Sequence, residues 1–164
     1  MLIYLLRHGD AAESVDDRIR PLSELGVENT QKIAEYLKSI NTCIDLIITS
    51  PLLRAYQTAQ IVIKVLKYDK NLLETDNLLP ESYRESIINE LSKYSNDSNL
   101  LLVGHQPLLG DLLAHFTKQP HTAAKIVKSA LACIQIEQPI NSNKGFLKWL
   151  VTPNDLINGC RKCV

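Results

Sequence analysis

Short apolar runs recur along the chain and are separated by longer segments in which apolar residues have helical spacing. The runs are Leu2 to Leu6, Asp45 to Thr49 and Leu100 to Val103. Each is too short for a helix and is bounded by turn or capping residues. We therefore predict three buried strands.

The segment after the first run has the pattern of an amphipathic helix. Ser23 is a residue type that favours the N-cap position. The positions that follow at helical spacing are Val27, Thr30, Ala34, Leu37 and Ile40, four of which are apolar. This spacing predicts one helix with a single apolar face.

Prolines mark the predicted starts of two further helices. Ser50 and Pro51 have the residue types of an N-cap and a first helical position, ahead of "LLRAYQTAQIVIKVLK". Pro107 opens "LLGDLLAHF" in a similar way. Another helix is predicted from Ser82 to Tyr94, after a loop at positions 78–80.

Two segments near the C-terminus alternate apolar and polar residues as β-strands do: "ALACIQIE" and "GFLKWLVT". The turn-rich "QPINSNKG" between them predicts a hairpin at an edge of the sheet. The irregular stretch "YDKNLLETDNLLPESYRES" is predicted to hold one short strand and a loop. This element order predicts an α/β fold, a three-layer α/β/α sandwich with a mainly parallel central sheet and an antiparallel edge strand.

Length and charge narrow the possible classes of protein. A chain of 164 residues is long enough for one well-formed core and short for two. We expect one domain over residues 1–164, without a large cap insertion. Eighteen basic and eighteen acidic side chains cancel, so no overall field favours nucleic acid or an anionic membrane. Any anion site must then be built locally.

The same sequence predicts a cytoplasmic protein with reduced thiols. Its apolar start is too short for a secretory signal, and no stretch approaches the ~20 apolar residues of a membrane span. Cys43 and Cys133 are expected to be free. Cys160 and Cys163 form a C-x-x-C pair, but no helix start or second ligand pair accompanies them, which favours ordinary thiols over a redox or metal site.

Cationic and imidazole side chains follow each of the three early strands. Arg7 and His8 follow the first, Ser50 and then Arg54 follow the second, and His105 follows the third. Parallel strands place their carboxyl ends at one edge of a sheet, where α/β folds bind ligands. Guanidinium forks suit phosphate oxygens, and nearby helix N-termini add backbone donors. The sequence therefore predicts a phosphoryl-binding pocket at this edge.

Other polar residues are given structural roles. A lone Arg-His-Gly arises easily by chance, and the convergence of three strand ends is what favours a site. His115 and His121 are assigned to a helix end and a loop. Arg18 and Arg20 are assigned to ordinary loop charges, with a contact between Arg20 and the pocket left open as an alternative.

The segments "LLRHGDAA" and "LLLVGHQPLLG" resemble the fingerprint of the histidine phosphatase superfamily. "RPLSELG" and "SPLLRAYQTA" are similar to segments of its small SixA-type phosphohistidine phosphatases. The resemblance implies a phosphoglycerate mutase-like fold with no metal or other cofactor. It makes His8 the nucleophile, with Arg7, Arg54 and His105 binding the phosphoryl group.

Ester-cleaving members of that superfamily use an acidic residue to protonate the departing alkoxide. Glu81, after "LLP", is the nearest candidate for this acid, and Asp10 is a weaker one. The resemblance and the short chain together favour a phosphohistidine on a partner protein, such as a phosphotransfer domain or phosphocarrier, because imidazole leaves readily when protonated.

Three alternatives remain at this point. A small-molecule phosphomonoesterase or mutase would use the same pocket. A non-catalytic phosphate-binding module would not need His8. A zinc hydrolase using His8 and His105 lacks further ligands, and the arginines would repel the metal.

Overall fold

The computed structural model describes residues 1–117, 120, 125–140 and 144–157. Its strands are β1 (Leu2–Arg7), β2 (Leu46–Thr49), β3 (Leu72–Glu74), β4 (Asn99–Gly104), β5 (Leu131–Gln135) and β6 (Phe146–Val151). Its α-helices are α1 (Glu24–Ser39), α2 (Leu53–Leu66), α3 (Arg84–Leu91), α4 (Leu108–Thr117) and α5 (Pro153–Ile157). Two 3₁₀ turns cover Asp17–Ile19 and Asp76–Leu78.

The six strands form one sheet in the order β3-β2-β4-β1-β5-β6. β1 and β2 both run parallel to β4, with Arg7 opposite Gly104 and Thr49 opposite Val103. The carboxyl ends of these three strands therefore meet at one edge. β5 is antiparallel to β1, and β6 is antiparallel to β5. The mainly parallel sheet with an antiparallel edge hairpin is confirmed.

Helices cover both faces of the sheet because alternate residues of its central strands point to opposite sides. On β4, Leu100 and Leu102 join the apolar cluster that contains residues of α3 and α4. Leu101 and Val103 join the cluster formed with α1 and α2. The residues of both clusters are almost fully buried, as strands covered on two faces require. The predicted three-layer sandwich is confirmed.

The predicted start of α2 was wrong. The helix begins at Leu53, and Leu52 occupies the N-cap position without a side-chain hydrogen bond. Ser50 is therefore not the N-cap, and Pro51 is not the first helical residue. The Ser50 hydroxyl instead lies 2.9 Å from a ring nitrogen of His105. By contrast, Ser23 caps α1 as predicted, accepting from the Gly26 N–H.

Other boundaries differ in smaller ways. The buried face of α1 includes Thr30, Ile33, Ala34 and Leu37. Two positions assigned to that face, Val27 and Ile40, are exposed. Ile40 lies beyond the last helical residue. The helix predicted to reach Tyr94 ends at Leu91.

Some predictions fall on parts of the chain that the structure does not describe. His121, Cys160 and Cys163 lie outside the described residues. Within the described ranges, no helix is long and apolar enough to cross a membrane.

Candidate active site

Two histidines meet just beyond the strand ends of β1 and β4. The ring centroids of His8 and His105 are 4.8 Å apart, with the ring planes inclined by 49°. Backbone hydrogen bonds extend the sheet past its last paired residues and fix this geometry. The His8 N–H donates to Gly104 O at 3.1 Å, and the Ser50 N–H donates to Val103 O at 3.0 Å. The two imidazoles therefore lie on a rigid support.

The His8 ring presents one nitrogen to the protein and leaves the other available. Nδ1 lies 2.7 Å from Gly9 O, and a carbonyl oxygen can only accept, so Nδ1 carries the proton. Burial lowers the pKa of His8 to about 4, and the charges of Arg54 and Arg7 add to this effect. At neutral pH the ring is therefore neutral, and its Nε2 has a free lone pair. This is the protonation state of an imidazole nucleophile.

Gly9 allows the backbone after His8 to pack closely against α1. A Cβ at this position would lie 2.8 Å from both Gly26 O and Thr30 Oγ1. The Gly9 N–H also donates to Thr58 Oγ1 at 3.1 Å. The Thr58 hydroxyl in turn donates to Arg54 O at 2.7 Å. Thr58 thus connects the turn that holds His8 with the first turn of α2.

His105 is 1% exposed, and its two ring nitrogens differ in their surroundings. Nε2 lies 2.9 Å from Ser50 Oγ. Nδ1 is buried and has no hydrogen-bond partner among the described residues. Burial lowers the pKa of His105 to about 3, with further contributions from His8 and Arg54. An unpaired polar atom in the interior is costly, so a ligand atom is expected opposite Nδ1.

Neither arginine uses all of its N–H donors on the residues that the structure describes. Arg7 donates from Nη1 to Ile126 O at 3.0 Å, while its buried Nε has no partner among the described residues. Arg54 is 6% exposed and uses Nη1 and Nη2 on Asp17. A guanidinium carries five N–H donors, so both side chains can also bind oxygens of an anion. The predicted cations are thus present with unused hydrogen-bonding capacity.

Asp17 is a residue of this site that the sequence reasoning missed. Its carboxylate accepts from Arg54 Nη2 at 3.1 Å and from Arg20 Nη1 at 3.2 Å. Burial acts to raise the pKa of Asp17, but the two arginines outweigh it and hold that pKa below its ordinary value. Arg20 is therefore linked to Arg54 through a shared carboxylate. The position of Asp17, three residues before Arg20 in a polar loop, was the available signal.

The two acidic candidates have different surroundings. Glu81 is exposed in the turn after the second 3₁₀ segment and makes no hydrogen bond or ion pair with any described residue. Asp10 accepts from Lys128 Nζ and, at 2.8 Å, from Ser23 Oγ. The hydrogen bond from Lys128, followed by that from Ser23, lowers the pKa of Asp10. Asp10 is thus an ionised, structurally engaged group that is poorly suited to donate a proton.

Other predicted positions agree with structural roles. His115 lies in the last turn of α4 and packs edge-on against Phe116. In the described part of the chain, no three metal-ligating side chains cluster. The two imidazoles have guanidinium groups as neighbours, which disfavours a cation between them.

The chain is similar to known proteins in both sequence and structure. Residues 3–82 match the family described as the histidine phosphatase superfamily, branch 1. The chain belongs to the histidine phosphatase superfamily. It is 29% identical over 168 aligned residues to the phosphohistidine phosphatase SixA of Escherichia coli K12, an alignment that covers 95% of this chain and 96% of that one.

Solved structures extend this similarity to the fold of the superfamily. The structure of the protein histidine phosphatase SixA complexed with tungstate superposes with a TM-score of 0.86 at 27% identity, covering 95% of this chain and 99% of that chain. A putative α-ribazole-5′-P phosphatase from Escherichia coli superposes with a TM-score of 0.74 at 20% identity, covering 93% of this chain and 98% of that one. The phosphoglycerate mutase-like fold is thereby confirmed.

Proposed function

We propose that the protein hydrolyses phosphohistidine on a partner protein through a covalent intermediate on His8. The observation that carries the proposal is the free Nε2 of a neutral His8, packed against His105 and beside two arginines. A nucleophile is unnecessary for a module that merely binds phosphate. The names of the related SixA proteins support the same substrate class.

The reaction has two displacement steps at phosphorus. In the first, His8 Nε2 attacks the phosphoryl group, the bond to the partner's imidazole breaks, and that imidazole leaves with a proton taken from solvent. In the second, water attacks the phosphorus, the bond between phosphorus and His8 Nε2 breaks, and its electron pair returns to Nε2. The water oxygen and its protons leave as dihydrogen phosphate, which can lose one proton to solvent, and neutral His8 is regenerated. In both steps, charge on the equatorial oxygens is stabilised by fixed donors. Arg7, Arg54 and His105 supply those donors.

The carboxylates beside the pocket favour an imidazole leaving group over an alkoxide. Both Asp10 and Asp17 have a lowered pKa because cationic side chains bond to them. Each is therefore ionised at neutral pH and has no proton to give to an alkoxide. An imidazole has an ordinary pKa near neutrality and can be protonated by water before it leaves. A small phosphate ester is the alternative substrate for the same pocket.

A partner protein must reach His8 with its own side chain. Within residues 1–117, each connection between successive strands contains one α-helix at most, and none contains an inserted group of helices that could form a large cap. We therefore propose that one domain, without a large cap, admits a histidine-bearing surface such as a phosphotransfer domain or phosphocarrier. The described cysteines, Cys43 and Cys133, are free thiols, which suits a reducing cytoplasm as the place of reaction.

Trapping the intermediate tests this proposal. The protein is mixed with a peptide labelled on phosphohistidine, quenched with alkali within the first turnover, and digested to locate the label. We expect the label on the peptide that contains His8, and none with His8→Ala. Faster turnover of alkyl or sugar phosphates than of the phosphopeptide would show that the protein is a small-molecule phosphomonoesterase instead. Absence of label on His8 during turnover would contradict the covalent mechanism.

A further inference from the structure

Ser50 has a fully buried hydroxyl in direct contact with the active-site histidine His105. Its Oγ lies 2.9 Å from His105 Nε2. The same oxygen accepts the Leu52 N–H at 3.3 Å. Neither contact belongs to the displacement steps described above, which raises the question of which atom carries the proton between Ser50 and His105.

A neutral imidazole has one N–H and one acceptor nitrogen, so two arrangements are possible. In the first, His105 Nε2–H donates to Ser50 Oγ, and Nδ1 keeps a lone pair. In the second, the Ser50 hydroxyl donates to Nε2, and Nδ1 carries the proton. The His105 ring is neutral at ordinary pH because burial holds its pKa far below the usual value.

The hydrogen-bond inventory of Ser50 distinguishes the two arrangements. In the first, Ser50 Oγ would accept from both Leu52 N and His105 Nε2, and its own buried proton would have no acceptor among the described residues. In the second, Oγ accepts once and donates once, so each polar atom of the hydroxyl is used. Because buried polar hydrogens without acceptors are costly, the second arrangement is more stable.

The second arrangement also suits the ligand. His105 Nδ1 is the buried ring nitrogen without a partner in the described residues. With a proton, Nδ1 can donate to a phosphoryl oxygen, whereas a lone pair at that atom would repel it. His8 carries its proton on the same atom type, Nδ1, but directs it to Gly9 O and keeps Nε2 free. One histidine thus offers a lone pair and the other a donor.

We propose that Ser50 is a positioning residue that donates its hydroxyl proton to His105 Nε2 and so fixes the Nδ1–H tautomer that binds the phosphoryl group. The inference rests on the proposed function for the identity of the anion. Ser50 itself does not touch the substrate.

NMR spectra of the protein with nitrogen-15-labelled histidines test the tautomer of His105 without any substitution. Correlations from the ring carbon-bound protons identify which nitrogen is protonated. We expect a protonated Nδ1 and an unprotonated Nε2 for His105 in the wild type, and a shift of the Nδ1 signal on adding inorganic phosphate. A proton found on Nε2 of His105 would overturn the proposal.

Substitutions test the consequence for turnover. Ser50→Ala should increase the Nε2–H population of His105 and lower kcat/KM on a phosphohistidine peptide by about ten- to a hundredfold. The loss is smaller than the about 10²- to 10³-fold expected for removing a donor outright, because the correct tautomer persists in part of the population. Ser50→Thr keeps a hydroxyl and should restore the wild-type tautomer and most of the activity.

Thr49→Val is the matched control, since it removes a buried hydroxyl at the adjacent position whose bond goes to Ser50 O. It should leave the His105 tautomer unchanged. If Ser50→Ala keeps the Nδ1–H tautomer and activity within twofold of wild type, the proposal fails. If His8 takes no label but the phosphate-dependent shift of His105 Nδ1 is seen, the proposed hydrolysis fails while the role of Ser50 in anion binding stands.

Discussion

Arg54 donates two hydrogen bonds to Asp17, from Nη1 to the carbonyl oxygen at 2.8 Å and from Nη2 to the carboxylate at 3.1 Å. The Arg54 side chain is 7% exposed and that of Asp17 is 61% exposed, so a buried cation is paired with a carboxylate at the rim. A buried charge without a partner would be costly. The pair therefore fixes the guanidinium plane, and it also places a negative charge beside the anion that the pocket is proposed to bind.

Asp17→Asn should strengthen the binding of inorganic phosphate, measured as an inhibition constant. Asparagine keeps an oxygen that can accept from Arg54 but removes the charge that opposes the anion. Because the carboxylate is largely exposed, the gain should be modest, about two- to fivefold. Asp16→Asn is the control, since the Asp16 side chain bonds to Arg18 N and not to Arg54. Weaker phosphate binding by Asp17→Asn would show that the carboxylate acts mainly by orienting Arg54.

Arg54→Ala should lower kcat/KM by about 10²- to 10³-fold, the usual effect of removing one donor to a transition-state oxyanion. Arg54→Lys should recover part of this loss, because an ammonium restores the charge but not the fork of the guanidinium. Steady-state kinetics on a phosphohistidine peptide measure both. Equal activity of the lysine variant and the wild type would mean that charge alone, without bidentate geometry, accounts for the role of Arg54.

His8→Ala should lose at least about a thousandfold in kcat, as expected when a nucleophile is deleted. The fold should survive, because the side chain lies at the sheet edge and outside both apolar clusters. Single-turnover kinetics and circular dichroism check the two statements together. Activity within tenfold of the wild type in a folded variant would contradict the assignment of the nucleophile.

The strands and their polar ends were predictable because each apolar run is short and a charged or imidazole residue lies within five positions of its end. Arg7 ends β1, His8 follows it, and His105 follows β4; the parallel register of β1 and β4 brings these residues together. The role of Ser50 was not predictable in this way, since Ser-Pro before an apolar segment has the pattern of a helix start. Asp17 was missed because a polar loop has no periodicity, and its contact with Arg54 depends on the tertiary fold.

The buried histidines predict that stability falls in mild acid. In the folded protein the pKa of His8 is about 4 and that of His105 about 3, whereas both are near the ordinary value of 6.5 when unfolded. Below that value the unfolded chain binds more protons, so the free energy of unfolding decreases as pH falls from about 6.5 towards the folded pKa values. For each histidine, the free energy of unfolding should fall by about 1.4 kcal/mol for every unit by which the pH is lowered in this range.

Urea unfolding at about pH 7.5 and pH 5 measures the effect, which should reach roughly 4 kcal/mol for the two histidines together. His8→Asn should remove about half of it. Asp10 and Asp17 affect the free energy of unfolding in a different pH range. Their pKa values are lowered in the folded protein, so the stability that they contribute is lost only as the pH falls below their ordinary value of 3.8. An unfolding free energy that is equal at the two pH values would contradict the buried, neutral state of both rings.

Glu81→Gln distinguishes the two substrate classes. General acid catalysis contributes about 10²- to 10⁴-fold, and an alkoxide needs that proton whereas a protonated imidazole does not. Because Glu81 is exposed and unpaired among the described residues, we expect less than a threefold change in kcat/KM on a phosphohistidine peptide. Glu85→Gln is the matched control, since that neighbouring carboxylate is paired with Arg84. A loss of a hundredfold or more on both the phosphopeptide and an alkyl phosphate, absent in Glu85→Gln, would identify Glu81 as an obligatory acid and favour a phosphomonoesterase.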